Sequence, residues 1–254
     1  MSRYVLELCY NGTRYNGWQI QKNTSNTIQQ VVHEKLSIML QEEITVTASG
    51  RTDAGVHAKQ NFAHFDCSKE IPPELLRRLN FFLPQDIAVK NIFSVEKDFN
   101  ARFDAIRRTY EYLIAYEKNP LISEIVSFYP YEKLSLTKLN AAAKIVKSHS
   151  DFAAFSKKRT QVKTTICKIK HAHWEWDDEV KLIRFTITAD RFLRGMVRGI
   201  VATSIRFARE KISEEALHHL LQSKVPHKTA FSAPTNRLTL IEVAYPSGSM
   251  KAIF

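Results

Sequence analysis

Apolar and polar positions alternate over residues 3–10, which predicts a strand. A polar stretch from Asn11 to Asn26 follows. Thr27 and Gln30 then stand at capping-box spacing ahead of a helix. Within it Ile28, Val31, Val32, the stem of Lys35, Leu36, Met39 and Leu40 recur at a helical period. Residues 44–48 are rich in β-branched side chains and predict a strand. A loop over 50–57 leads to another strand near 60–66. Pro72-Pro73-Glu74 opens a helix to about Phe82, with proline in the first turn. Residues 87–96 close the series as a strand, so the order is β-α-β-β-α-β.

The second half repeats this loosely. Residues 106–116 alternate, and Ser135 caps a helix to about Lys147. Strands near 164–176 and 180–189 form a hairpin turning at Asp177-Asp178-Glu179. A basic helix begins near Phe192, Ser213-Glu214-Glu215 starts another, and residues 237–245 end the pattern as a strand. The expected fold is α+β: two similar halves, each a mainly antiparallel sheet with helices on one face. The halves would be 1–104 and 105–254, joined near 98–106, with a cleft between the sheets suited to nucleic acid. Trp174, Trp176, Phe62, Phe65, Phe81 and Phe82 are assigned to the core.

Composition narrows the class. The 254 residues are 44% hydrophobic and 25% charged, which excludes a disordered tail or a fibre. No window approaches the ~18 apolar residues of a membrane span. Glu7 interrupts the first apolar stretch and no small-residue cleavage site follows, so the N-terminus does not read as a secretory signal. Cys9, Cys67 and Cys167 are far apart, which argues against a disulfide framework and fits a reducing cytoplasm. Lys and Arg number 37 against 26 Asp and Glu, a net charge of +11 that points to an anionic partner, nucleic acid first. Glycine is scarce: 7 residues, where average usage would give about 18. Gly12, Gly17, Gly50 and Gly55 nevertheless cluster early, which signals special backbone angles or a close approach.

The densest chemistry lies in Gly50-Arg51-Thr52-Asp53-Ala54-Gly55-Val56-His57. A guanidinium beside a carboxylate favours its ionised form, which suits a nucleophile or base. The same pattern also fits an Asx-type turn in which Asp53 only binds backbone amides. His57 reads as a structural hydrogen-bonding partner. His171 and His173 would share one face of a strand, but no third ligand stands nearby and no metal site is expected. Neither a dinucleotide nor a P-loop glycine fingerprint occurs.

The Gly50–His57 string resembles the signature of the tRNA pseudouridine synthase A family. Residues 10–19, from Tyr10-Asn11-Gly12 to Gly17-Trp18-Gln19, resemble that family's first motif, with Asn11 where aspartate is usual. Asn80-Phe81-Phe82-Leu83-Pro84, Ala101-Arg102-Phe103-Asp104-Ala105, Tyr110-Glu111-Tyr112, Asp151-Phe152 and Met196-Val197-Arg198 follow in the family's order over nearly the whole chain. The resemblance implies a cofactor-free isomerase. It would cleave the uracil–ribose bond, rotate the base and rejoin it through carbon at uridines 38, 39 and 40 of the tRNA anticodon stem-loop. Asp53 would be the catalytic aspartate, with attack on the sugar, attack on the base and removal of a sugar proton all open. Tyr110 would stack on the flipped base and help remove its C5 proton. Arg198 would pair with the aspartate, and Arg51 would contact RNA and help extrude the base. The resemblance also implies a homodimer.

Under that reading Arg14, Lys22, Arg102, Arg107, Arg108, Lys157, Lys158, Arg159, Arg191, Arg194 and Arg198 gain a task, since cations beside the site position phosphates. Arg14, Arg102 and Arg194 join Arg51 as the named substrate contacts. For Lys157-Lys158-Arg159 a solvated loop is equally open. Two departures touch the cleft wall or helix packing: Arg237 stands where the family usually has glycine, and Gly199 and Ala202 where asparagine and glycine are common. Two readings from other classes compete. One is a non-catalytic RNA-binding module; the other is a small-molecule lyase or hydrolase using Asp53.

Overall fold

The computed structural model of the chain describes residues 1–156, 164–223 and 233–253. Lys157, Lys158 and Arg159 lie outside them. The described residues form an α+β fold with a mostly antiparallel strand arrangement and five α-helices. The chain divides into two compact units, Met1–Ile106 with Leu240–Phe254, and Arg107–Thr239.

In the first unit, strand β1 (Ser2–Tyr10) lies between β3 (His57–Cys67) and β4 (Ile87–Val95), antiparallel to both. A two-residue β2 (Thr47–Ala48) pairs with β3, and β10 (Lys251–Ala252) pairs with β4. Helix α1 (Ile28–Leu40) buries Ile28, Val32, Leu36 and Leu40, and α2 (Leu75–Phe82) buries Leu75 and Leu79. These meet a core that includes Val5, Leu6, Leu8, Ile44 and Val46. Asn80 closes the end of α2 onto the start of β4: its Oδ1 accepts from the Val89 amide at 2.9 Å, and its Nδ2 donates to the Val89 carbonyl at 2.8 Å.

The second unit carries β5 (Arg107–Ala115), β8 (Leu182–Ala189) and β7 (Ile169–Asp177) in that spatial order, all antiparallel. A short β6 (Val126–Phe128) runs parallel to β5. Trp174 and Phe185 stack at 4.4 Å in its core. Helices α3 (Leu136–Lys147), α4 (Met196–Ala208) and α5 (Glu214–Gln222) complete the unit. Strand β9 (Leu238–Ala244) is the segment where the chain passes back to the first unit, with its later residues beside β3.

Several boundaries differ from expectation for visible reasons. The run 44–48 is strand only at Thr47–Ala48, because α1 claims the polar backbone before it. The Ser37 hydroxyl accepts from the Ile44 amide at 2.9 Å, and Gln29 donates to the Val46 carbonyl at 2.8 Å. Strand β7 begins at Ile169 rather than 164, since Thr165 is tied to the Asp151 loop: its hydroxyl donates to Asp151 at 2.6 Å and its carbonyl accepts from Phe152 at 3.1 Å. The basic helix starts at Met196, after Gly195 at φ +79°, not at Phe192. At α1 the Thr27 hydroxyl accepts from the Gln30 amide, but the Gln30 side chain turns outward to Glu34, so only half of the capping box forms. Phe81 is 81% exposed and Phe82 40%, so neither belongs to the core; both stand under cations, Arg77 and Lys35. Trp176 is half-buried and stacks on Tyr116.

His64 on β3 gives the fold a measurable pH dependence. It is buried, and its Nδ1 accepts from the Ala101 amide at 3.2 Å, which requires the neutral ring. Burial, helped by Arg3, pushes its pKa below the ordinary 6.5. The unfolded chain therefore binds the proton more readily, so this contribution is complete above about pH 6.5 and fades as pH falls below it. Urea midpoints should drop between about pH 7.5 and 5.5 in the parent. The drop should be smaller in His64→Gln; equal pH slopes would refute this assignment.

Candidate functional site

Closely held backbone surrounds Asp53. The Val56 amide donates to the Asp53 carbonyl at 3.1 Å, closing a turn whose third residue, Gly55, has φ +81°. That angle is the one a type II turn demands of its third position, and glycine adopts it without strain. Asp53 is half-buried, Arg51 and Ala54 are exposed, and Thr52, Gly55, Val56 and His57 are buried.

The segment 11–18 lies directly on this turn. Gly55 donates to the Tyr15 carbonyl at 3.2 Å, and Trp18 donates to the Thr52 carbonyl at 3.1 Å. The Gly12 amide donates to His57 Nδ1 at 3.2 Å, so His57 serves as a structural acceptor. A Cβ on Gly12 would stand 2.0 Å from the Val56 carbonyl oxygen, and one on Gly17, whose φ is +90°, would stand 2.6 Å from that of Thr52. Only glycine permits this approach. Gly50, by contrast, has open space where a methyl would go.

A buried polar chain holds the entry to the turn. The Tyr10 hydroxyl and Thr52 Oγ1 are 3.0 Å apart, Asn61 Nδ2 donates to the Tyr10 oxygen at 3.1 Å, and the Ser49 hydroxyl donates to Asn61 Oδ1 at 2.7 Å. All four residues are buried. Burial pushes the Tyr10 phenol up to about 12, so it stays protonated and able to donate throughout the neutral range.

Of the other candidates in this unit, Arg14 donates through Nε to Asp86 at 2.9 Å while its side chain remains 73% exposed. Arg102 is exposed over the Phe103 ring at 5.6 Å. In the second unit Tyr110 lies on β5, edge-to-face with Phe192 at 5.3 Å between ring centres. Arg198 is in the first turn of α4, and its Nε donates to the Ala233 carbonyl at 2.6 Å. Arg194 is exposed just before that helix. Gly199 is accounted for by packing, because a Cβ there would stand 2.5 Å from the Phe155 ring. Arg237 donates to the carbonyls of Glu124 at 2.7 Å and Asn236 at 2.6 Å, stapling the segment before β6.

Two groups escaped the sequence reading. Arg184 on β8 gathers Glu111, Asp177 at 2.6 Å and Glu175 at 3.6 Å. The Arg184 hydrogen bond, aided by the Val180 and Glu179 amides, holds the Asp177 carboxyl below its usual range. Asp86 is the other, and only strand pairing and turn geometry reveal its partners. Among the described residues no group of three or more His, Cys, Asp or Glu could hold a metal, and no helix is long and apolar enough to cross a membrane.

Comparison with known proteins covers both units. A family profile described as tRNA pseudouridine synthase matches residues 9–104 and 142–246. Those stretches include Arg14, Arg51, Asp53, Arg102, Arg194 and Arg198, whereas Tyr110 falls between them. A tRNA pseudouridine synthase A of Bacteroides fragilis is 43% identical over 248 residues, 97% of this chain and 97% of that protein. One of Porphyromonas gingivalis is 41% identical over 250 residues, 97% of this chain and 98% of that protein. One of Bdellovibrio bacteriovorus is 34% identical over 246 residues, covering 94% and 93%.

The glycine contacts predict a contrast. Gly17→Ala should cost about 1–3 kcal/mol, the cost of a residue forced into a sparsely populated backbone region. Gly50→Ala should change stability by less than about 0.5 kcal/mol. Urea denaturation of both variants decides it, and equal effects would mean that the two loops do not meet as described.

Proposed function

This chain belongs to the tRNA pseudouridine synthase family and is an isomerase of that kind, and from that premise we propose that it converts uridine to pseudouridine at positions 38, 39 and 40 of the tRNA anticodon stem-loop. The observation that carries the reading is the clamped Asp53 turn: a half-buried carboxylate held on a backbone that two glycines keep in one place. Fixed geometry of this sort is what a reactive group needs, since misplacement by about 1 Å can cost 10²-fold in rate.

The reaction breaks the bond between the sugar C1′ and base N1, turns the base and forms a bond from C1′ to C5. A proton leaves C5 and one is gained at N1, so atoms balance with no redox change and no co-reactant. Asp53 supplies the reactive electron pair, and Arg198 orients it. The target uridine lies in a stacked stem and must be flipped out, at a cost of a few kcal/mol. The Tyr110 ring restores stacking to the extruded base and assists loss of the C5 proton. Arg14, Arg102 and Arg194, all exposed, position phosphates, and Arg51, also exposed, contacts RNA and helps extrude the base. The net charge of +11 supports an extended RNA partner. The same reading makes the protein a cytoplasmic homodimer in which both subunits grip one tRNA.

Three measurements test it. With tRNA tritiated at uridine C5, the parent should release tritium, and Asp53→Asn should bind tRNA yet release it on the order of 10³-fold more slowly or not at all. Release by Asp53→Asn at the parent rate removes Asp53 from the chemistry; tight binding with no release by either protein favours a binding module. Affinity for tRNA should fall roughly 10³-fold or more between low and moderate salt if about six phosphates are neutralised, and a flat dependence argues against an extended interface. Light scattering should report twice the chain mass, and a strict monomer would contradict the dimer.

A further inference from the structure

Asp86 touches the segment 11–15 in three places. Its carbonyl accepts from the Asn11 amide at 2.9 Å. One carboxylate oxygen accepts from the Tyr15 hydroxyl at 2.6 Å, and the other accepts from Arg14 through Nε at 2.9 Å and through a terminal nitrogen at 2.6 Å. The carboxylate is only 10% exposed, so these bonds form largely out of water. A charged acceptor shared by a phenol and a guanidinium makes stronger bonds than a neutral one would. Burial and the bond to Asp86 both raise the Tyr15 pKa, so Tyr15 remains a donor at neutral pH.

Asp86 itself stands on firm backbone. It follows Pro84 in a turn closed by the Ile87 amide donating to the Pro84 carbonyl at 3.0 Å, and β4 begins at the next residue. Beyond Tyr15 the connection continues to the reactive turn, because the Tyr15 carbonyl accepts from Gly55 and the Gly17 backbone abuts Thr52 and Asp53. A path of hydrogen bonds therefore runs from Asp86, just before β4, through Tyr15 to Gly55 in the turn that carries Asp53.

We propose that Asp86 is a positioning residue for the Asp53 turn, acting through Tyr15 and Arg14 to hold the segment 11–18 against residues 52–57. The inference rests on the reading of Asp53 as the reactive group. An amide at position 86 keeps the size of the side chain but cannot accept from both partners as an anion does, since one of its two terminal groups is a donor. The turn would then be less closely held, which affects the chemical step more than the grip on tRNA.

The test compares Asp86→Asn, Tyr15→Phe and their double variant with the parent. Three readouts are taken: single-turnover tritium release at saturating enzyme, tRNA affinity, and hydrogen exchange at the Gly55 and Trp18 amides. Asp86→Asn should slow release on the order of 10²-fold with affinity changed less than about threefold. Tyr15→Phe should reproduce much of that loss, and the double variant should be no slower than the slower single one, as expected of residues acting as one unit. Exchange at Gly55 and Trp18 should quicken while that of Ala63 on β3 does not. Tyr15→Phe removes a single hydroxyl and carries the test if Asp86→Asn does not fold. Unchanged exchange at Gly55 overturns the proposal, as does lost affinity at an unchanged rate, which would make the cluster an RNA contact. Asp53→Asn run alongside keeps the two readings apart. If it retains activity, Asp53 is not the reactive group, and exchange at Gly55 still decides whether Asp86 holds the turn.

Discussion

Two stretches of backbone approach so closely in the first unit that no side chain fits between them, and the geometry around Asp53 follows from that contact. Gly12 and Gly17 lie against the carbonyls of Val56 and Thr52 at distances a Cβ would violate. The contact is sealed by hydrogen bonds in both directions, from Trp18 to Thr52 and from Gly55 to Tyr15. Loops are ordinarily the mobile part of a fold. Here the loop that carries the carboxylate has been given a partner loop, and its polar backbone groups are satisfied as they would be inside a sheet. The neighbouring side chains belong to the same construction. Gln29 accepts from Gln19 and from the Ile20 amide while donating to Val46, tying the far end of segment 11–20 into α1.

The charge of the chain separates into two populations under this arrangement. Several carboxylates are consumed by arginines of the fold: Asp66 by Arg3, Asp86 by Arg14, and Glu111 and Asp177 by Arg184. Exposed pairs of this kind add little stability. The nearly buried members matter differently, because losing one partner strands a charge away from water. Glu111 is 3% exposed, on β5 beside Tyr110, so the Arg184 pair fixes the strand that presents that ring. Exposed arginines such as Arg51, Arg102 and Arg194 contribute instead to the field that an RNA strand would meet.

Long periodic elements were legible in the sequence, and elements decided by side-chain competition were not. The stripe from Ile28 to Leu40 names α1 because burial repeats at helical spacing. The run 44–48 looks like a strand by composition, but Ser37 and Gln29 take the backbone groups a longer strand would have needed. Phe81 and Phe82 show the limit of assigning aromatics to a core: α2 buries Leu75 and Leu79, and the two rings project elsewhere with cations over them. The clustering of scarce glycines pointed to the region of close backbone approach, yet it could not separate Gly17, which is indispensable to the contact, from Gly50, which faces open space. Asp86 and Arg184 were invisible for a different reason: their partners are 71 to 73 residues away, or on a neighbouring strand whose register no pattern reveals.

Family membership and geometry answer different questions about this chain. Similarity over both matched stretches identifies the class of reaction. Under the proposed role of Asp53, a neutral uridine offers no charge to pull the carboxylate into place, so the protein must set its position before the substrate arrives. A free loop would lose that advantage in conformational entropy at each encounter. The glycine contact, the buried Tyr10–Thr52–Asn61–Ser49 chain and the Asp86 clamp restrict the Asp53 turn from three sides. Under the proposed role of Asp53, a change that loosens the turn lowers the rate for every tRNA alike.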